Sequence, residues 1–233
     1  MSRVAGPPTP DPSSDEIARR RALTTAPPGP LPVLYEDDDL LFIDKPSGLL
    51  SVPGRYEPDC VEARLQAQFP EALTVHRLDM ATSGVMVFAR HAAAQRHLGL
   101  QFERRHAAKG YAAIVWGPVA GERGTIDLPL RTDWPSRPRQ MVCREHGRSA
   151  LTEWEVVSRE ADHTRLSLTP LTGRSHQLRV HCRELGHPIL GDRLYADGDA
   201  LAAADRLLLH AEWLELHKPT GGERIRVGSE VPF

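Results

Sequence analysis

Two segments of the chain carry residue types that could do chemistry. The first reads Val75-His76-Arg77-Leu78-Asp79-Met80-Ala81-Thr82-Ser83-Gly84 and runs straight into the apolar stretch Val85-Met86-Val87-Phe88-Ala89. A carboxylate on a loop that enters a buried strand is held by a rigid element, the setting in which an ionised Asp serves as nucleophile or proton acceptor. The same residues also suit a plain turn closed by the Asp79 and Ser83 side chains, and spacing alone leaves both readings open. The second segment, Leu171-Thr172-Gly173-Arg174-Ser175-His176-Gln177-Leu178-Arg179, puts a Gly and an Arg ahead of a helical pattern. That combination suits a phosphate or a carboxylate, and equally an ordinary helix start with surface arginines.

Other chemistries find less support. The chain holds eleven histidines. His176 and His181 are five apart, however, so on a helix they diverge by roughly 140° instead of stacking as an i, i+4 ligand pair. No metal site is expected. A nucleophile elbow G-x-S-x-G is absent, and Cys60, Cys143 and Cys182 lie far apart with no C-x-x-C pair. Without a dinucleotide fingerprint or a P-loop, no nucleotide cofactor is expected. A hydrolase built on Asp79 and Asp192 would need the two carboxylates to converge in space.

The elements that must position these residues follow from pattern. Val33 opens a strand-like region, and the run Leu40 to Ile43 is stopped by Lys45-Pro46-Ser47-Gly48. Asp59 offers an N-cap, with Glu62 three residues on, for a short helix to about Phe69. The run from Gly84 to Ala89 reads as a buried strand leading into a helix of about fifteen residues that buries Ala94, Leu98 and Phe102 and leaves Arg96, Arg104 and Arg105 outward. Further strands are expected at Tyr111 to Trp116, Thr125 to Leu130, Leu151 to Val157, Thr164 to Thr169 and Leu207 to Leu216. Ser175 is a candidate cap for a helix to about Leu185 with Leu178, Cys182 and Leu185 as its apolar stripe, His181 against that stripe, and His176, Arg179 and Arg183 on another face. Strand exceeds helix without βα alternation, which predicts an α+β fold with a mixed, largely antiparallel sheet.

Bulk composition bounds the class. The 233 residues include 40% apolar and 26% charged residues, ordinary for a globular chain able to bury its own core. Residues 1–30 carry seven prolines and few large apolar groups, so a disordered tail is expected there, with one catalytic domain over 31–233. No apolar stretch reaches the roughly 18 residues of a membrane span. With the separated cysteines, this predicts a cytoplasmic location. The formal net charge of −2 gives no global sign of nucleic-acid binding. Basic residues nevertheless gather at 90–105, 137–148 and 174–193.

Several motifs in order carry a family resemblance: His76-Arg77-Leu78-Asp79 with Thr82-Ser83-Gly84, Lys109-Gly110-Tyr111, Gly173-Arg174-Ser175-His176-Gln177-Leu178-Arg179, and Gly186-His187-Pro188-Ile189-Leu190-Gly191-Asp192. Together they resemble the RluA family of pseudouridine synthases across 33–233. Lys45-Pro46-Ser47-Gly48, Met80-Ala81, Asp127-Leu128-Pro129-Leu130 and Asp133-Trp134-Pro135-Ser136-Arg137-Pro138 are similar to the family's dual-specificity branch, which modifies the tRNA anticodon stem-loop and a 23S rRNA stem-loop. As in that branch, no RNA-binding S4 domain is expected before the catalytic domain. Ala107-Ala108 departs from the more polar residues expected before Lys109.

The resemblance implies isomerisation of uridine in structured RNA, by a cofactor-free monomer. The bond from ribose C1′ to uracil N1 breaks, the base rotates, and it rejoins through C5. Asp79 is implied as the catalytic carboxylate, kept ionised by a salt bridge to Arg179. Tyr111 is implied to stack near the uracil and to take part in removing the C5 proton. Arg77 is implied to fill the gap left by the flipped nucleotide, and flipping costs least in loops. His76, Lys109, Arg174, His176 and Gln177 complete the implied RNA contacts. Alternatives are a synthase acting on tRNA alone or rRNA alone, and a catalytically silent RNA-binding module.

Overall fold

The computed structural model describes residues 26–233, so most of the expected Pro-rich tail lies outside the described residues. The strands are β1 (Val33–Glu36), β2 (Leu40–Lys45), β3 (Leu73–Thr74), β4 (Ser83–Ala89), β5 (Ala108–Trp116), β6 (Arg123–Asp127), β7 (Leu130–Thr132), β8 (Gln140–Val142), β9 (Leu151–Arg159), β10 (His163–Pro170), β11 (Leu209–His217) and β12 (Arg224–Gly228). The helices are α1 (Val61–Gln66), α2 (Ala92–Glu103), α3 (Gln177–Glu184) and α4 (Gly198–Ala202). One large sheet runs β1-β2-β4-β11-β5-β10-β9-β6, with β12 on β11 and β3 on β4, while β7 and β8 form a separate hairpin. Every strand pairing is antiparallel except β4 with β11. The expected mixed, largely antiparallel α+β architecture is what folds.

Strand β4 is central because its sequence leaves it no wet face: all seven residues are buried. Period-two alternation sends Val85 and Val87 to a cluster with Leu40, Phe42, Ala94 and Leu98, and Met86 and Phe88 to another with Leu41, Ile43, Val61 and Leu65. A third cluster joins β5, β9 and β10 to α3 through Ala113, Val115, Leu166, Leu168, Leu178 and Cys182. The stripe of Leu178, Cys182 and Leu185 does face that core.

Gly84, at the mouth of β4, has φ +113, and a Cβ there would stand 2.2 Å from the Ala211 carbonyl oxygen of β11. Only a glycine lets the two strands approach at this point, directly behind the Asp79 loop.

The helix ends differ from expectation in instructive ways. Cys60, not Asp59, caps α1 by accepting from the Ala63 N–H, because Asp59 is drawn into a two-pronged pair with Arg64. Helix α2 is twelve residues long and ends where Arg105 turns to φ 61. Ser175 caps nothing. His176 occupies the cap position of α3 at φ 54 with no side-chain capping bond, and the turn before it is closed by the Gln177 amide instead.

Candidate active site

The Asp79 loop is fastened from below by the segment that follows β2. Lys45 is fully buried, and its ammonium donates to the carbonyl oxygens of Pro46, Met80 and Thr82 at 2.9, 2.9 and 2.7 Å. Ser47 Oγ donates to the Ala81 carbonyl at 2.7 Å, and the Gly48 N–H to Met80 at 2.8 Å. Ser51 Oγ both donates to the Leu78 carbonyl and accepts from the Leu78 N–H, at 2.7 and 3.0 Å. Burial pushes the Lys45 ammonium down to about 7, against the pull of nearby Asp79. A charge is thus kept out of water to hold a loop whose backbone has no sheet partner.

Asp79 itself stays reachable, with 27% of its side chain exposed. Arg179 NH1 approaches its Oδ2 at 3.3 Å. The same guanidinium, 6% exposed, donates through Nε and NH2 to Asp192 Oδ2 and Oδ1 at 2.8 and 2.7 Å. Asp192 is wholly buried and also accepts the N–H groups of Leu194 and Tyr195. Arg179 therefore has a fixed partner in Asp192 and presents its remaining edge to Asp79. The carboxylates of a would-be hydrolytic pair do converge, but on one guanidinium that saturates Asp192 and removes it as an acid or base.

His176 completes this side. The Gln140 N–H donates to the Tyr195 hydroxyl at 2.7 Å, and that hydroxyl shares a hydrogen bond with His176 Nδ1, also at 2.7 Å. The other ring nitrogen, Nε2, faces Asp79 Oδ1 at 4.0 Å. Burial holds the His176 imidazole below its ordinary range, opposed by Asp79. Tyr195 also lies under the guanidinium of Arg179, 5.1 Å from its ring centre. Tyr111, on β5 opposite Ala211 of β11, packs at the edge of the same core as Ala81. Burial and the nearby Asp79 charge raise its hydroxyl above the ordinary phenol range, so the free enzyme holds a neutral phenol there.

The expected RNA-contacting residues divide by what their polar atoms already do. Arg77 is exposed. The Lys109 ammonium lies where a Cβ on Gly173 would stand 3.3 Å away, and Arg174 donates from Nε to the Ser149 carbonyl at 2.9 Å. Arg174, Arg148 and Arg105 repel one another closely enough that burial and both neighbours lower Arg174. Arg90, by contrast, is spent on Glu36 and Glu71.

Two of the expected contacts already bond within the protein. Gln177 is buried and uses its whole amide, accepting from Thr172 Oγ1 and the Arg174 N–H and donating to the Leu151 carbonyl and Thr152 Oγ1. His76 accepts the Val87 N–H at 3.1 Å and stacks on Phe102 with ring centres 4.6 Å apart. His181 is buried between Thr152 Oγ1 and the Leu128 carbonyl, as its place against the apolar stripe suggests. Sequence reasoning weighed Asp192 only as half of a hydrolytic pair and passed over Lys45 and Tyr195. The one available signal was Arg179 itself, since an Arg next to an apolar stripe needs a buried counter-charge.

Residues 39–184 match the family described as RNA pseudouridylate synthase. The chain is 54% identical over 206 residues to the dual-specificity RNA pseudouridine synthase RluA of Escherichia coli strain K12, covering 87% of this chain and 94% of that protein. To the protein of the same name from Yersinia pestis it is 53% identical over 204 residues, covering 86% and 99%. Of solved structures, human RNA pseudouridylate synthase domain containing 1 superposes with a TM-score of 0.77 at 29% identity, over 89% of this chain and 87% of that one. Human RNA pseudouridylate synthase domain containing 4 does so with a TM-score of 0.71 at 26% identity, over 94% and 93%.

Proposed function

We propose that this chain, which belongs to the RluA branch of the RNA pseudouridylate synthase family and isomerises uridine to pseudouridine in RNA, does so with Asp79 as its catalytic carboxylate on two substrates, the tRNA anticodon stem-loop and a 23S rRNA stem-loop. The observation that carries the assignment is a carboxylate left 27% exposed on a clamped loop, beside a guanidinium whose other two donors are locked onto Asp192. Such a group is aimed without being consumed by its partner, as a carboxylate that acts at C1′ while the bond to N1 breaks must be. Arg179 orients it, and Tyr111 offers an aromatic face for the freed uracil.

Arg77, Lys109, Arg174 and His176 are read as RNA contacts, with His76 and Gln177 holding the frame around them. We read 31–233 as one catalytic domain, on the family match over 39–184 and the single large sheet that runs from β1 to β12, and read the protein as a cytoplasmic monomer. No described helix is long and apolar enough to cross a membrane. The test is conversion of uridine in transcribed anticodon and 23S stem-loops by the wild type and by Asp79→Ala. Conversion of both RNAs by the wild type and of neither by the variant is expected. Activity surviving in the variant removes Asp79 from its role, and conversion of a single RNA by the wild type narrows the substrate.

A further inference from the structure

The hairpin of β7 and β8 stands apart from the main sheet, its strands paired from Leu130 and Val142 to Thr132 and Gln140, with a further bridge from Leu130 at its base to Arg148. Its tip is ordered by backbone bonds: Asp133 N–H to the Arg139 carbonyl at 3.0 Å, Ser136 N–H to Asp133 at 3.1 Å and Arg139 N–H to Ser136 at 3.1 Å. On that tip Trp134 is 64% exposed. The Arg137 guanidinium lies 4.7 Å from the centre of its ring and covers one face. A ring shielded on one side that keeps this much exposure has its opposite face bare.

Nothing in the packing calls for an indole there, and hydration of so large an apolar surface is unfavourable. The surrounding charge is one-sided. Residues 131–148 hold five arginines against Asp133 and Glu145, in a chain whose formal net charge is −2. Among the described residues none of those five arginines forms a salt bridge. The arm is also tied to the reactive centre: Arg139 lies over the Tyr195 ring at 5.5 Å, and the Gln140 N–H bonds the hydroxyl that fixes His176 beside Asp79.

We infer that the β7–β8 hairpin is an RNA-gripping arm: the bare face of Trp134 stacks on an unpaired base of the substrate loop, sandwiching the indole between that base and Arg137, while Arg137 and Arg139 meet the adjoining phosphates. An indole and unneutralised guanidiniums suit unpaired RNA, whose splayed bases stack on aromatic rings and whose backbone is anionic. A protein partner with an acidic, apolar surface would meet the same patch, but the bonds through Tyr195 and His176 place the arm beside the site that receives RNA. Stacking tolerates sequence because every base has a π-face. One platform therefore serves two loops of different sequence, and in this respect the inference rests on the dual-substrate reading.

The test compares full-length wild type, Trp134→Ala, Trp134→Phe and Arg137→Ala for affinity toward fluorescently labelled anticodon and 23S stem-loops, and toward a fully paired duplex of the same length. Expected is a rise of about tenfold in Kd, with a matching rise in KM, for Trp134→Ala on both stem-loops. Trp134→Phe, which keeps a stacking face, recovers most of that affinity, and the duplex is bound alike by wild type and Trp134→Ala. Arg137→Ala lowers the salt dependence of binding by about one phosphate's worth. Stem-loop affinity within twofold of wild type in Trp134→Ala overturns the arm, as does an equal loss on the duplex. If wild type converts only one of the RNAs, the dual-substrate reading falls while the Trp134→Ala comparison on that RNA still decides the arm.

Discussion

Replacing Lys45 by Met separates what the buried ammonium does for stability from what it does for catalysis. Lowering its pKa from 10.5 to about 7 corresponds to about 5 kcal/mol of disfavour for the charged form on burial. Methionine removes that cost with similar length and no charge. On the other side stand three carbonyls that lose a donor, but the loss is uneven. Met80 keeps the Gly48 N–H at 2.8 Å, and Pro46 is a neighbour of Lys45 itself with part of its surface open to water. Thr82 is buried and is left without the bond from Lys45, a penalty of about 1–3 kcal/mol. These opposing terms leave about 2–4 kcal/mol in favour of the variant, whose unfolding free energy is expected to rise by about that much.

The catalytic consequence is far larger. With the fastening at Thr82 gone, the loop that carries Asp79 keeps its Ser47, Gly48 and Ser51 bonds but loses its deepest anchor, and a displacement of about 1 Å at the proposed catalytic carboxylate costs on the order of 100-fold. The assay is single-turnover pseudouridine formation with saturating enzyme, alongside urea unfolding of the same preparations. Activity within about threefold of wild type, or an unfolding free energy lowered by more than about 1 kcal/mol, refutes the reasoning. The first result would mean that the loop is self-supporting, and the second that the ammonium holds the fold rather than the loop.

Asp192→Ala strands the nearly buried Arg179 without its two-pronged partner and is expected to lower stability by about 3–5 kcal/mol, read from the urea midpoint; a loss under about 1 kcal/mol contradicts it. The other prediction concerns acid. Burial, aided by Lys109, holds His76 down to about 3. The unfolded chain takes up this proton near the ordinary histidine value of about 6.5 and the folded one only near 3, so the contribution is full above 6.5 and is lost as pH falls toward 3. His76→Phe keeps a ring against Phe102 but cannot titrate. Between pH 6 and 4 wild-type stability should fall more steeply than the variant's by up to about 1.4 kcal/mol per pH unit, and parallel slopes would place the His76 proton elsewhere.

What could be read from the residues, and what could not, follows from the range of the interactions involved. Strand β4 and the stripe of α3 were legible because an apolar run and a four-residue spacing are local patterns that tertiary packing merely honours. The Asp79 motif was legible for a different reason, since several ordered motifs point to one family even when each alone describes a turn. Lys45 was not legible. Ahead of Pro46-Ser47-Gly48 it reads as a cation at an exposed turn, and only carbonyls 35 and 37 residues away turn it into a buried clamp. The short β7 and β8 strands, three residues each, fall below what periodicity can register.

The same limit explains why the motif residues could not be sorted into those that touch substrate and those that hold them in place. His176 and Gln177 are adjacent in the chain, yet His176, turned by its left-handed backbone, faces Asp79, while Gln177 spends two hydrogen bonds on the turn behind it and two on β9. A buried amide with every bond satisfied has nothing left to offer a ligand, and losing it would orphan the groups it serves. Arg179 divides within one side chain. Its Nε and NH2 are held by Asp192 and its NH1 reaches Asp79, so the position of that partly exposed carboxylate is inherited from a salt bridge buried behind it.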